Sequence, residues 1–389
     1  MDFEWTQEHK LIRQAISDIA ADYSRNYWQN VREERRFPAE FYDDLAEGDW
    51  LGVAFPEKYD GQDMGLLEMV LIIETLAESG AWIGAVTLVG GPVFGGFSIL
   101  AHGTEEQKQR YLPKIINGNT TWGLGVTEAN AGLNTTNLTT FAERNGNEFI
   151  INGEKQFISG LEHADKMLLL ARTAHKEDVE MPADGITMFI VDLNDNAIEY
   201  SEIPLDIYYP ERTYQVHINS LRVSESQILG TEGDGLRQMF DTLNAERIVL
   251  GACTWGAGKS TLESAVEHAK EREVWSQAIG GHQAIQHPLA DAHADLESAR
   301  LALEKAAWQQ STQTGDVGEA ANLANLQAGK SAFEAAEAAM TTFGGMSASA
   351  EIGISAAWEF IRHARTVPIS EEMIWNYLGT HSLDLPRSY

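Results

Sequence analysis

The stretch "LNAERIVLGA", residues 243–252, sets Glu246 beside Arg247 at the head of an apolar run. A carboxylate next to a guanidinium is either a solvated surface pair, worth under about 1 kcal/mol, or a proton-transfer group with its orienting cation. Residue types alone leave both open. "WGAGKS" (255–260) has the small residues and the Lys-Ser of a phosphate cradle, but the glycine required five residues before Gly258 is Cys253. No strand precedes it either, so a close-packed helix is the better reading. "GTEGDG" (230–235) resembles a dinucleotide loop only loosely and reads as a turn before a helix. In "HQAIQHPLADAH", His287 and Asp291 lie one helical turn apart, a spacing that can ligate a metal, between His282 and His293. No second pair completes a site, so no metal is expected. "GVTEANAG" (125–132) follows Trp122 and is rich in small residues. Such a loop lets a planar or phosphate-bearing ligand approach main-chain N–H groups. "FISG" (157–160) reads as a strand end and "TFGGMS" (342–347) as a helix cap.

The elements that must position these groups belong to a chain of 389 residues with 58 acidic and 28 basic side chains, a formal charge of −30. Hydrophobic residues make up 43% of the chain, which places it in the globular class. Such a charge repels nucleic acid and anionic membranes and suits high salt, where screening relieves self-repulsion. The one cysteine, Cys253, allows no intrachain disulfide, and the N-terminus lacks a signal-peptide pattern. A reducing, cytoplasmic setting is expected. Ser79 to Thr104 carries no Asp, Glu, Lys or Arg, a length that could span a bilayer. Its glycines and Pro92 point instead to buried helical pieces with a break, and no stable membrane insertion is expected.

From Phe3 to about Gly118 the apolar spacing is helical, with Leu11, Ile12, Ala15, Ile16 and Ile19 on one face and Phe37, Phe41 and Leu45 repeating every four residues around a helix start at Pro38. Thr104 and Gln107 form a capping box. Near Trp122 the pattern changes. "NEFIINGEKQFISG" suggests a hairpin at Asn152–Gly153. "KMLLLART" and "GITMFIVDL" read as buried strands, and "YQVHINSLRV" alternates as a half-buried one. From Gly235 helical spacing returns. Helices, then strands, then helices argue an α+β class with segregated domains: 1–119 helical, 120–228 β, 229–389 helical.

Taken in order, these signals resemble the acyl-CoA dehydrogenase family over essentially the whole chain. "GVTEANAGLNTT" is similar to the family's V-T-E-P-G-A-G-S-D. "NEFIINGEKQFISG" is similar to Y-x-I-N-G-x-K-x-W-I-T-N, and "YQVHINSLRVSESQILGTEGDG" to F-x-x-V-x-V-P-x-x-x-x-L-G-x-x-G-x-G. "REVWSQAIGGHQAIQH" resembles R-x-x-F-G-x-x-x-x-x-x-Q, and "TFGGMS" resembles F-G-G-x-G. The resemblance implies an N-terminal helical domain, a middle β-barrel or sandwich and a C-terminal four-helix bundle. It also implies a noncovalent FAD. Leu124, Val126, Thr127, Gly132 and Leu133 would lie by flavin and substrate, with Phe157, Ile158 and Ser159 against the isoalloxazine. Arg272, Trp275, Gln283, Gly344 and Gly345 would reach an FAD held mainly by a neighbouring subunit, so a homo-oligomer, tetramer or dimer, is implied. Ala129, Asn130 and Leu133 depart from the family's Pro-Gly and Ser, which bears on the acyl group rather than the cofactor.

The implied reaction is α,β-dehydrogenation of an acyl-CoA, with electrons passed to an electron-transfer flavoprotein. It needs a carboxylate base. The family places it either in a C-terminal E-G-T-x-E-I or, as in isovaleryl-CoA-dehydrogenase-like members, just before an Arg in an L-E-R-type helix. Here the C-terminal segment is "RHARTVPISEEMIWNYLG". Counted without gaps, Glu371 falls on the usual base; with a three-residue deletion Ser370, Glu372 and Met373 match T-x-E-I and Pro368 replaces it. The second register also aligns the following helix and assigns the base to Glu246, with Arg247 orienting it or facing the CoA side. A flavin oxidase or monooxygenase on the same fold, and a non-catalytic partner subunit, are the alternatives.

Overall fold

The computed structural model describes residues 5–387; Phe3 lies outside them. Helices α1 (Gln7–Ala21), α2 (Arg25–Glu34), α3 (Ala39–Glu47), α4 (Leu66–Leu76), α5 (Trp82–Val86), α6 (Ser98–His102) and α7 (Glu105–Ile116) come first. Strands β1 (Thr121–Gly125), β2 (Phe141–Asn145), β3 (Glu148–Ser159), β4 (Ala164–Arg172), β5 (Ile186–Asp192), β6 (Ile198–Glu202), β7 (Thr213–Ser224) and β8 (Ile228–Leu229) follow. Then come α8 (Gly235–Glu271), a small hairpin of β9 (Glu273–Val274) and β10 (Gln277–Ala278), and α9 (Gln283–Thr312). Helices α10 (Val317–Phe343), α11 (Ile354–Ala364) and α12 (Glu371–Tyr377) complete the chain. The class is α+β, as the element order implies.

Contacts gather the chain into two compact units that do not follow its linear order. One comprises Met1–Phe41, Gly65–Val86 and Asn244–Tyr389; the other comprises Tyr42–Met64 and Thr87–Leu243.

In the first unit α1 is set by its cap, Thr6, whose hydroxyl accepts from the His9 N–H. It buries Ile12, Ile16 and Ala20. Leu11, expected on that face, is exposed, because a helical neighbour of Ile12 points about 100° away from it. Alanines at 320, 321, 324, 328, 332, 335 and 339 make α10 narrow enough for close helix packing. Glycines do the same for α8: a Cβ on Gly256 would stand 2.5 Å from the Ala77 Cβ, and one on Gly258 would stand 2.6 Å from the Ala332 Cα. The "WGAGKS" segment is thus helix interior, as read. Glu74 of α4 is fully buried, and neither carboxyl oxygen has a hydrogen-bond partner. Burial pushes its carboxyl up to about 8, with Arg300 and Arg13 pulling down and Glu304 and Glu78 pushing up.

In the second unit the strands form one sheet in the order β6-β7-β3-β2-β4-β5-β8, with β1 parallel to β4. Met167, Leu169 and Ala171 of β4 join one apolar cluster, while Leu168 and Leu170 join another that includes Tyr111 and Leu112 of α7. Both faces of β4 are therefore covered, which is why "KMLLLART" is continuously apolar. The β7 alternation holds, with Tyr214, Val216 and Ile218 buried. The Thr104–Gln107 capping box is reciprocal, at 2.9 and 3.2 Å.

The expected hairpin at Asn152–Gly153 is not there. β3 runs unbroken through both residues, and the turn lies at Gly146–Asn147, where Gly146 takes a φ of 66°. Gly153 answers a different need: a Cβ there would stand 2.3 Å from the Thr140 hydroxyl oxygen. It marks a bulge against β7, which the two-residue turn signature cannot be told from in sequence.

The helical stretch Leu66–Val89 is long and apolar enough to cross a membrane, but 83% of its most apolar window is buried inside the protein. Beyond it the chain turns at Gly90–Gly91 and resumes at Pro92, the break that was expected.

Candidate functional site

Glu246 and Arg247 lie inside α8, in the first unit, and each is only 7% exposed. The surface-pair reading is therefore excluded. The two side chains form no ion pair. The Arg247 Nη1 donates to the Asn244 side-chain oxygen at 2.8 Å, and the Arg247 carbonyl accepts from the Asn325 amide of α10 at 3.1 Å. The Glu246 carboxyl oxygens accept no hydrogen bond among the described residues. Burial pushes this carboxyl up to about 7, against the pull of Arg247. Burial likewise lowers Arg247, against the pull of Glu246. A carboxylate so held can take a proton near neutrality.

Glu371, the other candidate base, is differently placed. It opens α12, is buried, and both its oxygens are taken by Arg365 of the same unit: Nε donates to Oε1, and Nη2 donates to Oε2 at 2.9 Å. Arg365 is itself held over the Phe333 ring at 4.8 Å. A two-point bond to a guanidinium fixes the orientation of the carboxylate and occupies one acceptor site on each oxygen.

In the second unit, the segments 124–133 and 157–159 are brought together. The Gln156 N–H donates to the Thr127 carbonyl at 2.8 Å. Between Lys155 and Ile158 the β3–β7 register shifts, and Phe157 adopts a left-handed φ of 58°. A non-glycine residue there costs on the order of 1 kcal/mol. The bulge turns Phe157 outward, 60% exposed, with Ser159 also exposed. Ile158 does not join them: its side chain is in the sheet core. Leu124 and Val126 are partly buried and pack against the core beneath. Leu133 is exposed, and a Cβ on Gly132 would meet nothing within 4 Å. The hydroxyls of Thr127 and Ser159 have no hydrogen-bond partner among the described residues. An exposed ring beside two unengaged hydroxyls fits a flat heterocycle with polar edges, which is the chemistry of a flavin.

Beneath these segments lies a buried ion pair that no motif in the sequence signals. Lys155, 0% exposed, donates through Nζ to Glu128 Oε1 at 2.8 Å and to the Val126 carbonyl at 3.1 Å. Glu128 also accepts from the Thr139 N–H at 2.6 Å, the Thr139 hydroxyl at 2.8 Å and the Thr140 N–H at 3.0 Å. Burial would raise this carboxyl, but Lys155 and these bonds hold it down to about 2. Only the strand pattern points to it: Phe149, Ile151 and Lys155 share the inward face of β3, and a charge on that face requires a buried partner.

Arg272, Trp275, Gln283, Gly344 and Gly345 are all exposed and belong to the first unit. His268 stacks on Phe343 at 4.4 Å, which joins the C-terminal ends of α8 and α10 and sets Arg272 and Gly344–Gly345 at one end of the bundle. Between β9 and β10 the two-residue turn is Trp275–Ser276, with φ of 51° and 68°. Asn-Gly is usual in this turn. Here it leaves the Trp275 ring 86% exposed, edge-on to His282 at 5.9 Å. Among the described residues, no group of three His, Cys, Asp or Glu side chains could hold a metal.

Three family models cover the chain in sequence: the N-terminal domain of acyl-CoA dehydrogenase at residues 6–119, the middle domain at 123–210 and the C-terminal domain at 233–379. The Mycobacterium tuberculosis acyl-CoA dehydrogenase FadE12 is 34% identical over 99% of this chain and 98% of its own length. The 3-(aryl)acrylate reductase of Clostridium sporogenes is 29% identical over 88% of this chain and 89% of its own. Among solved structures, butyryl-CoA dehydrogenase from Megasphaera elsdenii superposes with a TM-score of 0.93 at 25% identity, covering 98% of this chain and all of that one. Glutaryl-coenzyme A dehydrogenase in complex with glutaryl-CoA gives 0.93 at 25% identity, covering all of this chain and 98% of that one.

Proposed function

The chain belongs to the acyl-CoA dehydrogenase family, and we propose that it oxidises a saturated acyl-CoA to the 2-enoyl-CoA with FAD and delivers the electrons to an electron-transfer flavoprotein. The observation that carries this reading is Glu246, a buried carboxyl poised near neutrality with its oxygens unengaged.

The FAD, when bound, supplies the acceptor for the hydride that leaves the β-carbon. Glu246 takes the α-proton, so the thioester loses one proton and one hydride and gains the double bond. Arg247 favours the ionised form of Glu246, and its own bond to Asn244 keeps it from closing a salt bridge over the carboxylate. Burial supplies the rest: a carboxylate stripped of water is a stronger base. Phe157, Thr127 and Ser159, with the exposed loop at Gly132–Leu133, hold the flavin ring on one unit. Arg272, Trp275, Gln283, Gly344 and Gly345 reach toward an FAD of a neighbouring subunit. Their common exposure supports that role and a homo-oligomer, tetramer or dimer.

Anaerobic mixing of the purified holoprotein with a series of acyl-CoAs tests the reading. Bleaching of the oxidised flavin band with matched formation of 2-enoyl-CoA is expected for at least one chain length. No bleaching across the series would refute it, and rapid H2O2 release without an acceptor would assign the chain to the oxidases.

A further inference from the structure

We propose that Lys155 and Glu128 are positioning residues for the cofactor: their buried pair fastens the loop 124–133 to the strand end 157–159, so that Thr127 and Ser159 meet the flavin at one fixed spacing. This rests on the reading of those two segments as the flavin contact.

The connections are short. Glu128 follows Thr127, and Lys155 stands two residues before Phe157. One ammonium reaches both the Glu128 carboxylate and the Val126 carbonyl, so it ties strand to loop at two points. Glu128 extends the tie to a third segment through Thr139 and Thr140. The Gln156–Thr127 main-chain bond closes the same junction from the strand side. Arg172, the other cation near Glu128, spends its Nη atoms on the carbonyls of Thr136, Pro182 and Asp184. Lys155 is therefore the cation that hydrogen-bonds the carboxylate, and Arg172 adds only a longer-range attraction.

Stability does not demand this arrangement. A buried ion pair can usually be replaced by hydrocarbon of similar volume without loss, whereas removing one partner is costly. What hydrocarbon cannot do is fix the loop at two acceptors. The bulge sharpens the need, since it begins directly after Lys155 and throws Phe157 outward. A strand end with a register shift has slack unless something behind it is pinned.

The test compares Lys155→Met, Lys155→Met with Glu128→Gln, Thr127→Val and Ser159→Ala in the full chain. The readouts are the thermal midpoint of the apoprotein and the FAD dissociation constant from titration of apoprotein. Lys155→Met should lower the midpoint and weaken FAD. The double variant leaves no unpaired charge, so its midpoint should return to the wild-type value. Its FAD affinity should stay about tenfold weaker, the scale of one lost supporting contact. Should FAD affinity return together with the midpoint, or stay at the wild-type value in both variants, the pair is merely structural and the proposal fails. Thr127→Val and Ser159→Ala report separately on the underlying reading. If neither changes FAD affinity or the flavin absorption band, the two segments do not contact the flavin. If they do while the double variant binds like wild type, only the positioning role is lost.

Discussion

Glu246 and Arg247 are adjacent on α8, both buried, and yet unpaired: the guanidinium turns to Asn244 and leaves the carboxyl without a partner. Glu371 and Arg365 show the opposite arrangement, a carboxylate clasped at both oxygens. The Glu246 oxygens accept no hydrogen bond among the described residues, whereas both Glu371 oxygens accept from Arg365.

Glu246→Gln should therefore lower flavin bleaching by acyl-CoA by about a thousandfold, within the range for loss of a general base, while FAD stays bound. Stopped-flow absorbance in the oxidised flavin band measures this. Bleaching at the wild-type rate would remove Glu246 from the mechanism.

The rate should follow the ionisation of Glu246. Its carboxyl is raised to about 7, and only the ionised form is a base. kcat/KM should accordingly climb from pH 6 to pH 8 with a midpoint near 7. A flat profile across that interval, or a midpoint in the ordinary carboxylate range near about 4.3, would contradict the assignment.

Arg365→Met should act on stability rather than on chemistry. It leaves Glu371 buried without its partner, which costs about 2–3 kcal/mol after allowance for the partial exposure of the pair. The expected result is a lower unfolding midpoint with bleaching rates within about twofold of wild type. Loss of bleaching at an unchanged midpoint would return Glu371 to the role of base.

Glu74 carries a pH dependence of its own. Its folded carboxyl is raised to about 8, above its unfolded value. The stability it allows is complete below the unfolded carboxylate range and is lost as pH rises toward 8. Glu74→Gln should flatten that decline, gaining about 1 kcal/mol or more over wild type at pH 9 relative to pH 5. Parallel stability curves for the two proteins would show that Glu74 ionises without penalty.

A formal charge of −30 predicts a strong salt response. Screening shortens the reach of repulsion from about 10 Å at 0.1 M salt to about 3 Å at 1 M. The unfolding midpoint should rise across that span of sodium chloride. A midpoint insensitive to salt would mean that local pairing already offsets the acidic excess.

Much of the fold was legible because its signals are local. The Thr104–Gln107 cap, the β7 alternation and the helical burial of "WGAGKS" follow from patterns a few residues long. No hairpin forms at Asn152–Gly153: a glycine that lets Thr140 approach looks, in sequence, like a glycine that turns the chain. Periodicity gives a face but not its width, so Leu11 counts with the inward residues in sequence and is exposed in the fold. For the site, the register of the C-terminal segment favours Glu246 over Glu371 as the base, but the clasp of Glu371 by Arg365, six positions before it, has no sequence signature. Lys155 and Glu128 lie inside the family-like motifs, but their pairing joins positions 27 residues apart and exists only once the loop after β1 lies against β3.

The glycines of α8 have a mechanical consequence. At Gly256 and Gly258 the helix backbone rests against Ala77 and Ala332 with no room for a methyl group. These contacts act like keys in a shaft: they stop α8 from rolling about its own axis. The angular play of the carboxyl at position 246, three turns away, is thereby set by residues that carry no functional group at all.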